Sequence, residues 1–114
     1  MNLKKLEIIN SYKRIQKILQ AGNYFSGQYL KFCYIKNTNL DPNLKLLISV
    51  PKRKVKLAVN RNKIKRRIKE FYLQENNTKD YYAEVIIIYK YLKPVKYVKL
   101  EKDMLLFKKT ILDI

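Results

Sequence analysis

Between Lys52 and Lys69 the chain places ten cationic side chains in eighteen residues, with no acid among them. They are Lys52, Arg53, Lys54, Lys56, Arg61, Lys63, Lys65, Arg66, Arg67 and Lys69. Charge of one sign at this density works against compactness and demands a polyanionic partner or surface. The whole chain has the same bias: 114 residues carry 26 Lys+Arg against 9 Asp+Glu, a formal charge of +17. Abundant Lys, Ile, Asn and Tyr are what A/T-rich codons produce, so total charge is the softer observation and position the harder one. Four of the five arginines fall inside the run. Arginine grips phosphate with a planar two-pronged fork and binds nucleic acid more specifically than lysine. Nucleic acid is therefore the expected partner. A membrane surface would want an amphipathic basic helix with apolar anchors instead.

Composition then removes whole classes of function. There is no His and a single Cys. That excludes His-based acid/base chemistry, a His-ligated metal and an intrachain disulfide. An apolar fraction of 47% suffices for a real core. The longest apolar stretch runs from Val85 to Tyr89, far short of the ~20 residues of a membrane span. The start, Met1-Asn2-Leu3-Lys4-Lys5, lacks the apolar run of a signal peptide. The expectation is one cytoplasmic domain over residues 1–114, without repeat or linker and with no membrane partner.

Periodicity places the run within a fold. Ile8, Tyr12, Ile15 and Leu19, with Ile18 on their flank, predict a helix capped by Asn10 or Ser11 and ended by Gly22. Gln28 to Lys36 is β-like, closed by Asn37-Thr38-Asn39 and Asp41-Pro42-Asn43. Leu44 to Val50 is a second strand, and the short polar link between the two suggests an antiparallel hairpin. After the basic loop, Asn60 to Gln74 is helical, with Ile64, Ile68, Phe71 and Tyr72 on one apolar face. At 100° per residue, Asn62, Lys65, Arg66 and Lys69 share one flank, with Arg61 at the boundary. Asn76 to Asp80 reads as a loop. Val85 to Tyr89 predicts a strand buried on both faces, and Leu100, Met104, Phe107 and Ile111 a last helix. The order α-β-β-α-β-α gives an α+β two-layer sandwich with helices on a small sheet. Tyr12, Phe71, Tyr72 and Phe107 are expected in core or edge packing.

The middle helix breaks a local rule. Its amino end is partially positive, so each cation in the first turn costs some tenths of a kcal/mol; Arg61, Lys63 and Lys65 crowd there nonetheless. Broken local rules are expected at functional sites, and a helix amino end flanked by cations suits phosphate. The sequence Ser49-Val50-Pro51-Lys52-Arg53, followed by Ala58-Val59-Asn60-Arg61-Asn62-Lys63-Ile64-Lys65-Arg66-Arg67-Ile68-Lys69, resembles the protein component of bacterial ribonuclease P. That family has a motif Ala-Val-x-Arg-Asn-x-(Ile/Leu)-Lys-Arg-x-(Ile/Leu)-Arg after a strand ending Ser-Val-(Ser/Pro)-Lys-(Lys/Arg).

The resemblance implies a left-handed β-α-β crossover, where physics alone favours the right-handed form. It implies a role in removing the 5′ leader of precursor tRNA, with hydrolysis performed by the partner RNA and its magnesium. One copy per RNA is expected, with no cofactor or metal on the chain itself. Carried over by position, Arg61, Asn62, Lys65 and Arg66 would face the catalytic RNA, with Lys69 beside them on the helix. Lys52, Arg53, Lys54 and Lys56 would extend that surface. A cleft between the first helix and the sheet would hold the single-stranded leader, with Ile15, Leu19, Tyr29, Phe32, Cys33 and Tyr34 as candidate lining. Family members often place aromatics where this chain has Ile15 and Leu19, and a tyrosine where Cys33 stands. Strand alternation puts Tyr29 with Cys33, and Phe32 and Tyr34 on the opposite face.

The residues themselves offer no catalytic set. A two-metal nuclease needs converging carboxylates, and the nine acids are scattered; Glu101 and Asp103 lie on different faces of a predicted helix. Cys33 lacks a base or a helix end to activate it and is expected to be a packing residue. Ser49 lacks a base, and Gly22 and Gly27 cannot build a phosphate loop. Two other readings stay open: a structural RNA-binding protein of ribosomal-protein type, and a non-specific basic module for DNA or anionic lipid.

Overall fold

The computed structural model describes residues 7–36, 44–74, 83–93 and 95–112. The turns expected at Asn37–Thr38–Asn39 and Asp41–Pro42–Asn43 and the loop at Asn76 to Asp80 lie outside them. In chain order the elements are β1 (Glu7–Ile8), α1 (Tyr12–Ala21), β2 (Asn23–Ser26), β3 (Leu30–Lys36), β4 (Leu44–Ser49), α2 (Ala58–Leu73), β5 (Ala83–Tyr89) and α3 (Tyr97–Phe107). A π-helical turn, Lys108–Leu112, continues α3. The α-β-β-α-β-α order predicted from periodicity is present, with two further strands, β1 and β2.

The five strands form one sheet in the order β1-β4-β5-β3-β2. β5 lies between β3 and β4, antiparallel to the first and parallel to the second. The expected hairpin of β3 with β4 is therefore corrected: the two strands are not neighbours. The reason lies in β5, where six of seven residues are buried. A strand apolar on both faces is most stable in the centre of a sheet, and there it separates its predecessors. β4, α2 and β5 form a β-α-β unit with parallel strands.

Strand alternation divides the apolar side chains between two layers. Leu30, Phe32 and Tyr34 of β3 and Val85, Ile87 and Tyr89 of β5 pack beneath α2 and α3. Phe32 stacks on Phe107 with ring centroids 4.2 Å apart. Phe71, Tyr72 and Phe107 are buried as expected. On the opposite face Cys33 and Ile86 meet Ile9 and Ile18, with Ile15, Ile35, Leu47 and Ile88 around them. α1, a single short helix, covers only part of this face.

The phase of α1 differs from the expected stripe. Ile18 is its buried residue, Ile15 is half-buried, and Tyr12 and Leu19 are exposed. The helix therefore turns its Arg14–Ile15–Ile18 side to the sheet, where the Arg14 guanidinium meets Glu84 of β5 through two hydrogen bonds. Gly22 follows α1 because an added Cβ there would lie 2.3 Å from the Ile18 carbonyl oxygen and 2.9 Å from that of Tyr34. No other residue allows the helix end this close to β3.

Gln28 and Tyr29, expected as the start of a strand, instead form with Gly27 the turn between β2 and β3. Asp103 of α3 holds that turn. Its carboxylate accepts N–H bonds from Gln28 at 3.0 Å, Tyr29 at 2.7 Å and Leu30 at 2.9 Å. A buried acid that accepts three backbone donors is a structural fixture.

Candidate nucleic-acid interface

α2 is held by tertiary packing more than by its ends. Its N-cap, Leu57, gives no side-chain cap, and no acid lies in the first turn. Burial of Ile64, Ile68, Phe71 and Tyr72 anchors it, at roughly 1.5–3 kcal/mol for each large apolar side chain. With that stripe inward, Asn62, Lys65, Arg66 and Lys69 share an exposed flank. Arg66 has only a distant partner, Glu70 at 3.8 Å, and both side chains are exposed. Such a pair contributes only about 0.3–0.5 kcal/mol and leaves the guanidinium available. Lys65, Arg66 and Lys69 border a groove of about 380 Å³ with Ile8 of β1 and residues Leu46, Leu47 and Ile48 of β4.

The loop before α2 is built to present charge. The Pro51 carbonyl accepts N–H bonds from Lys54 at 2.9 Å and Val55 at 3.1 Å, and the Val55 side chain plugs the loop into the core. Nη1 of Arg61 donates to the carbonyls of Val55 at 3.0 Å and Lys56 at 2.7 Å. Arg61, expected only to face RNA, is thus also the clamp of the loop. Lys52, Arg53 and Lys56 stand exposed. Lys54, by contrast, is half-buried and lines a different cleft, of about 390 Å³, with Lys90, Tyr91, Leu92 and Lys93 at the end of β5.

The sheet face that carries α1 is where the leader cleft was expected, and here the expected lining changes. Leu19 is exposed at the end of α1, and Ile15 and Cys33 belong to this face, Cys33 wholly covered and so no lining for a ligand. Phe32 and Tyr34 do not: alternation sends them into the core beneath α3, where both meet Phe107. Tyr29 is likewise corrected. It lies in the turn held by Asp103 and belongs to the core under α2 and α3, its ring centroid 5.0 Å from that of Tyr91. Cys33 is fully buried, with its thiol donating to the Ile18 carbonyl at 3.0 Å, consistent with packing.

The aromatic that does lie on this face is Tyr24, half exposed at 51%. It stands opposite Cys33 across the β2–β3 pair. Its hydroxyl donates to the Leu19 carbonyl at 2.5 Å, and the ammonium of Lys31 lies 4.8 Å from its ring centroid. Hydrogen bonding with the Cys33 thiol, then burial, raises the Tyr24 pKa above its ordinary value. Sequence reasoning missed Tyr24 because β2 was not recognised as a strand. The signal was Tyr24-Phe25 two residues before Gly27, an aromatic pair that alternates between faces exactly where a hairpin turn begins to be possible.

Among the described residues no group of three or more His, Cys, Asp or Glu side chains is placed to hold a metal ion. No described helix is long and apolar enough to cross a membrane. The described surface carries fixed cations, exposed apolar groups and exposed aromatics, Tyr24 among them, a set suited to binding a phosphate chain by charge and unpaired bases by contact.

Comparison with known proteins agrees. Residues 3–111 match the family model described as Ribonuclease P. The ribonuclease P protein component of Mycoplasma genitalium is 32% identical over 90 residues, which span 79% of this chain and 69% of that protein. That of Ureaplasma parvum is 36% identical over 89 residues, 77% of this chain and 71% of that protein. Among solved structures, the ribonuclease P protein of Staphylococcus aureus superposes with a TM-score of 0.75 at 26% identity, covering 91% of this chain and 97% of that one. The Thermotoga maritima protein gives a TM-score of 0.76 over 92% and 97% of the two chains, at 19% identity a likeness of fold. With the motif, the strand order and these relatives in agreement, the chain belongs to the bacterial ribonuclease P protein component family.

Proposed function

We propose that this chain, a protein subunit of ribonuclease P, binds the catalytic RNA through the α2 flank Asn62, Lys65, Arg66 and Lys69 and the loop cations Lys52, Arg53 and Lys56. Arg61 holds that loop in shape and adds its own charge. The observation that carries this reading is the alignment of exposed cations on one side of a helix whose opposite side is locked in the core. Precursor tRNA and catalytic RNA are both polyanions. A rigid cationic surface between them lowers their repulsion, and each neutralised phosphate releases counterions.

The single-stranded 5′ leader runs along the face beneath α1, past Ile15, Leu19, Tyr24 and Lys31, where a base stacks on Tyr24. The chemistry of cleavage resides on the RNA and its magnesium ions, and the protein assists magnesium binding there by shaping the local phosphate field. One protein acts per RNA, in the cytoplasm. A ribosomal-type structural role is not favoured, because family membership points to ribonuclease P.

The test is reconstitution with a ribonuclease P RNA and a leader-bearing precursor tRNA at low magnesium. The expected result is little cleavage by the RNA alone, none by the protein alone, and rapid cleavage by the two together at an optimum ratio of one to one. Full-rate cleavage by RNA-free protein overturns the assignment of chemistry to the RNA.

A further inference from the structure

A helix packed on a sheet ordinarily turns polar side chains to the water. α2 does so: its exposed residues from Asn62 to Glu70 are all polar or charged. α3 does not. Its inner side buries Leu100, Met104 and Phe107, and its exposed residues are Val98, Lys99, Lys102, Leu105 and Leu106. Val98 is 54% exposed, Leu105 46% and Leu106 51%. At about 100° per residue, Val98, Lys102 and Leu105 form one outer ridge, with Lys99 and Leu106 together on its flank. Lys109, exposed in the π-helical turn, continues the ridge four positions after Leu105.

A helix apolar on both sides is the pattern of an element covered on both sides, and the fold covers one. The charge around the other side says what fits it. Lysines stand between the aliphatic groups, and no acid of α3 is exposed there. Asp103 is buried against the β2–β3 turn, and Glu101, half-buried, acts on the Tyr97 phenol. Near the amino end of α3 the exposed Tyr91 and Leu92 extend the set. The Tyr91 ring centroid lies 5.0 Å from that of Tyr29, and the Lys99 ammonium lies 5.9 Å from the Tyr29 ring. Lys90 and Lys93 line the cleft beside Tyr91 and Leu92. Aliphatic tips, lysines whose stems lie along them and a tyrosine at the boundary suit the headgroup layer of an anionic bilayer. The outer side of a helix is convex, so a folded partner would need an acidic groove shaped to it, whereas a lipid surface deforms to take it. A second copy of this chain, equally cationic, is repelled.

We propose that the outer ridge of α3, with Tyr91 and Leu92 at its amino end, docks the folded chain peripherally on an anionic lipid surface. The helix lies in the plane of the interface, its lysines among the phosphates and its leucines at the acyl boundary. The run of residues 52–69 has no such anchors, which is why the sequence points away from a membrane; α3 has them. The ridge stands clear of both faces proposed for RNA. α3 packs on β3, which β5 separates from β4, whereas the Lys65–Lys69 flank borders the groove at β1 and β4. α1 lies on the opposite side of the sheet.

The experiment is flotation of the full chain, without RNA, on vesicles of phosphatidylcholine alone or with about a third phosphatidylglycerol, at about physiological ionic strength. Binding to the anionic vesicles is expected to be at least tenfold tighter than to the neutral ones. A chain of charge +17 adheres to any anionic surface, so the decisive comparison holds charge constant. Leu105→Gln with Leu106→Gln should weaken anionic binding at least tenfold, while Leu57→Gln with Leu73→Gln, exposed leucines at the two ends of α2, should change it less than twofold. If the first pair unfolds, Val98→Gln serves, with an expected threefold loss. An environment-sensitive fluorophore on the thiol of Leu106→Cys should shift to the blue on the anionic vesicles, and one on Lys17→Cys of α1 should not; Cys33 is fully buried, shielded from the label. Vesicle insertion at Leu106 supports the proposal whether or not a helical peptide rich in Leu and Glu also shifts the probe. A shift with that peptide and none with vesicles makes the partner an acidic protein and overturns it. Equal weakening by both leucine pairs, or adhesion without a blue shift, leaves charge attraction alone and overturns it too. Since neither RNA nor cleavage is measured, this result is independent of the reconstitution above.

Discussion

Arg14 of α1 and Glu84 of β5 form a two-pronged ion pair across seventy residues of sequence, with Nε 3.0 Å from Oε2 and Nη2 bonded to Oε1. Together with Ile18 it fixes how α1 sits on the sheet, and so the width of the face that the leader is proposed to occupy. Glu84 is 8% exposed and Arg14 39%. Removing one partner of a fully buried pair costs roughly 3–5 kcal/mol; the exposed arginine reduces that to about 1–3 kcal/mol here. Arg14→Ala should therefore lower urea-unfolding stability by that amount. Arg14→Ala with Glu84→Gln should lose less than Arg14→Ala alone, because no buried charge is then stranded. Additive losses would show that the pair is not coupled.

Asp103 carries more of the fold than its place in a surface-facing helix suggests. Three backbone N–H groups depend on it, and each hydrogen bond to a charged acceptor contributes roughly 1.5–3 kcal/mol, not additively. Asp103→Ala should cost about 2–4 kcal/mol by chemical denaturation. Hydrogen exchange at Tyr29 and Leu30 should accelerate before that of the α2 interior. Unchanged exchange at those two amides would contradict the anchoring role.

Arg61 and the Lys65/Arg66 pair should separate in a comparison of stability with RNA affinity. Lys65→Ala with Arg66→Ala removes two exposed charges, so stability should change by less than about 0.5 kcal/mol. The salt dependence of RNA binding should fall by about 1.4–1.8 in log–log slope, from ~0.7–0.9 per phosphate contact. Arg61→Ala should lower stability by about 1 kcal/mol through the two lost loop bonds, and RNA affinity with it. A salt slope unaltered in the double variant would remove those residues from the interface.

Tyr24 is the candidate stacking platform. Tyr24→Ala should weaken binding of leader-bearing precursor tRNA by about 1–3 kcal/mol, the usual range for one stacked base. Affinity for tRNA without a leader should stay the same. Equal loss for both substrates would place the leader elsewhere.

Tyr89 links stability to alkaline pH. Burial pushes its phenol up to about 12, while an unfolded tyrosine titrates near ~10. Above pH ~10 the unfolded chain ionises this group and the folded chain does not, so its contribution is intact below ~10 and is lost between about 10 and 12. Tyr89→Phe should lower Tm at neutral pH, since the hydroxyl no longer bonds the Lys93 carbonyl, yet flatten the decline of Tm between pH 10 and 12. A decline as steep as in the unmodified protein would show that other groups govern it.

What could be read without coordinates was whatever depends on neighbours in sequence. The buried face of α2, its cationic flank, the double-sided apolar character of β5 and the last helical stripe are periodic features set by 3.6- and 2-residue repeats, and the motif around Ala58 to Lys69 named the family. Long-range arrangement was not encoded that way. Periodicity cannot say that β5 enters between β3 and β4, because strand neighbours are selected by the burial of both faces across the whole sheet. It could not phase α1 either: Tyr12 and Leu19 have the right spacing for a core stripe, and only the salt bridge of Arg14 to Glu84 and the fit of Ile18 over Cys33 decided which side turned inward. The same holds for Asp103, whose three partners lie more than seventy residues away. Local chemistry determined which residues could bind an anion; tertiary packing decided which of them stand together.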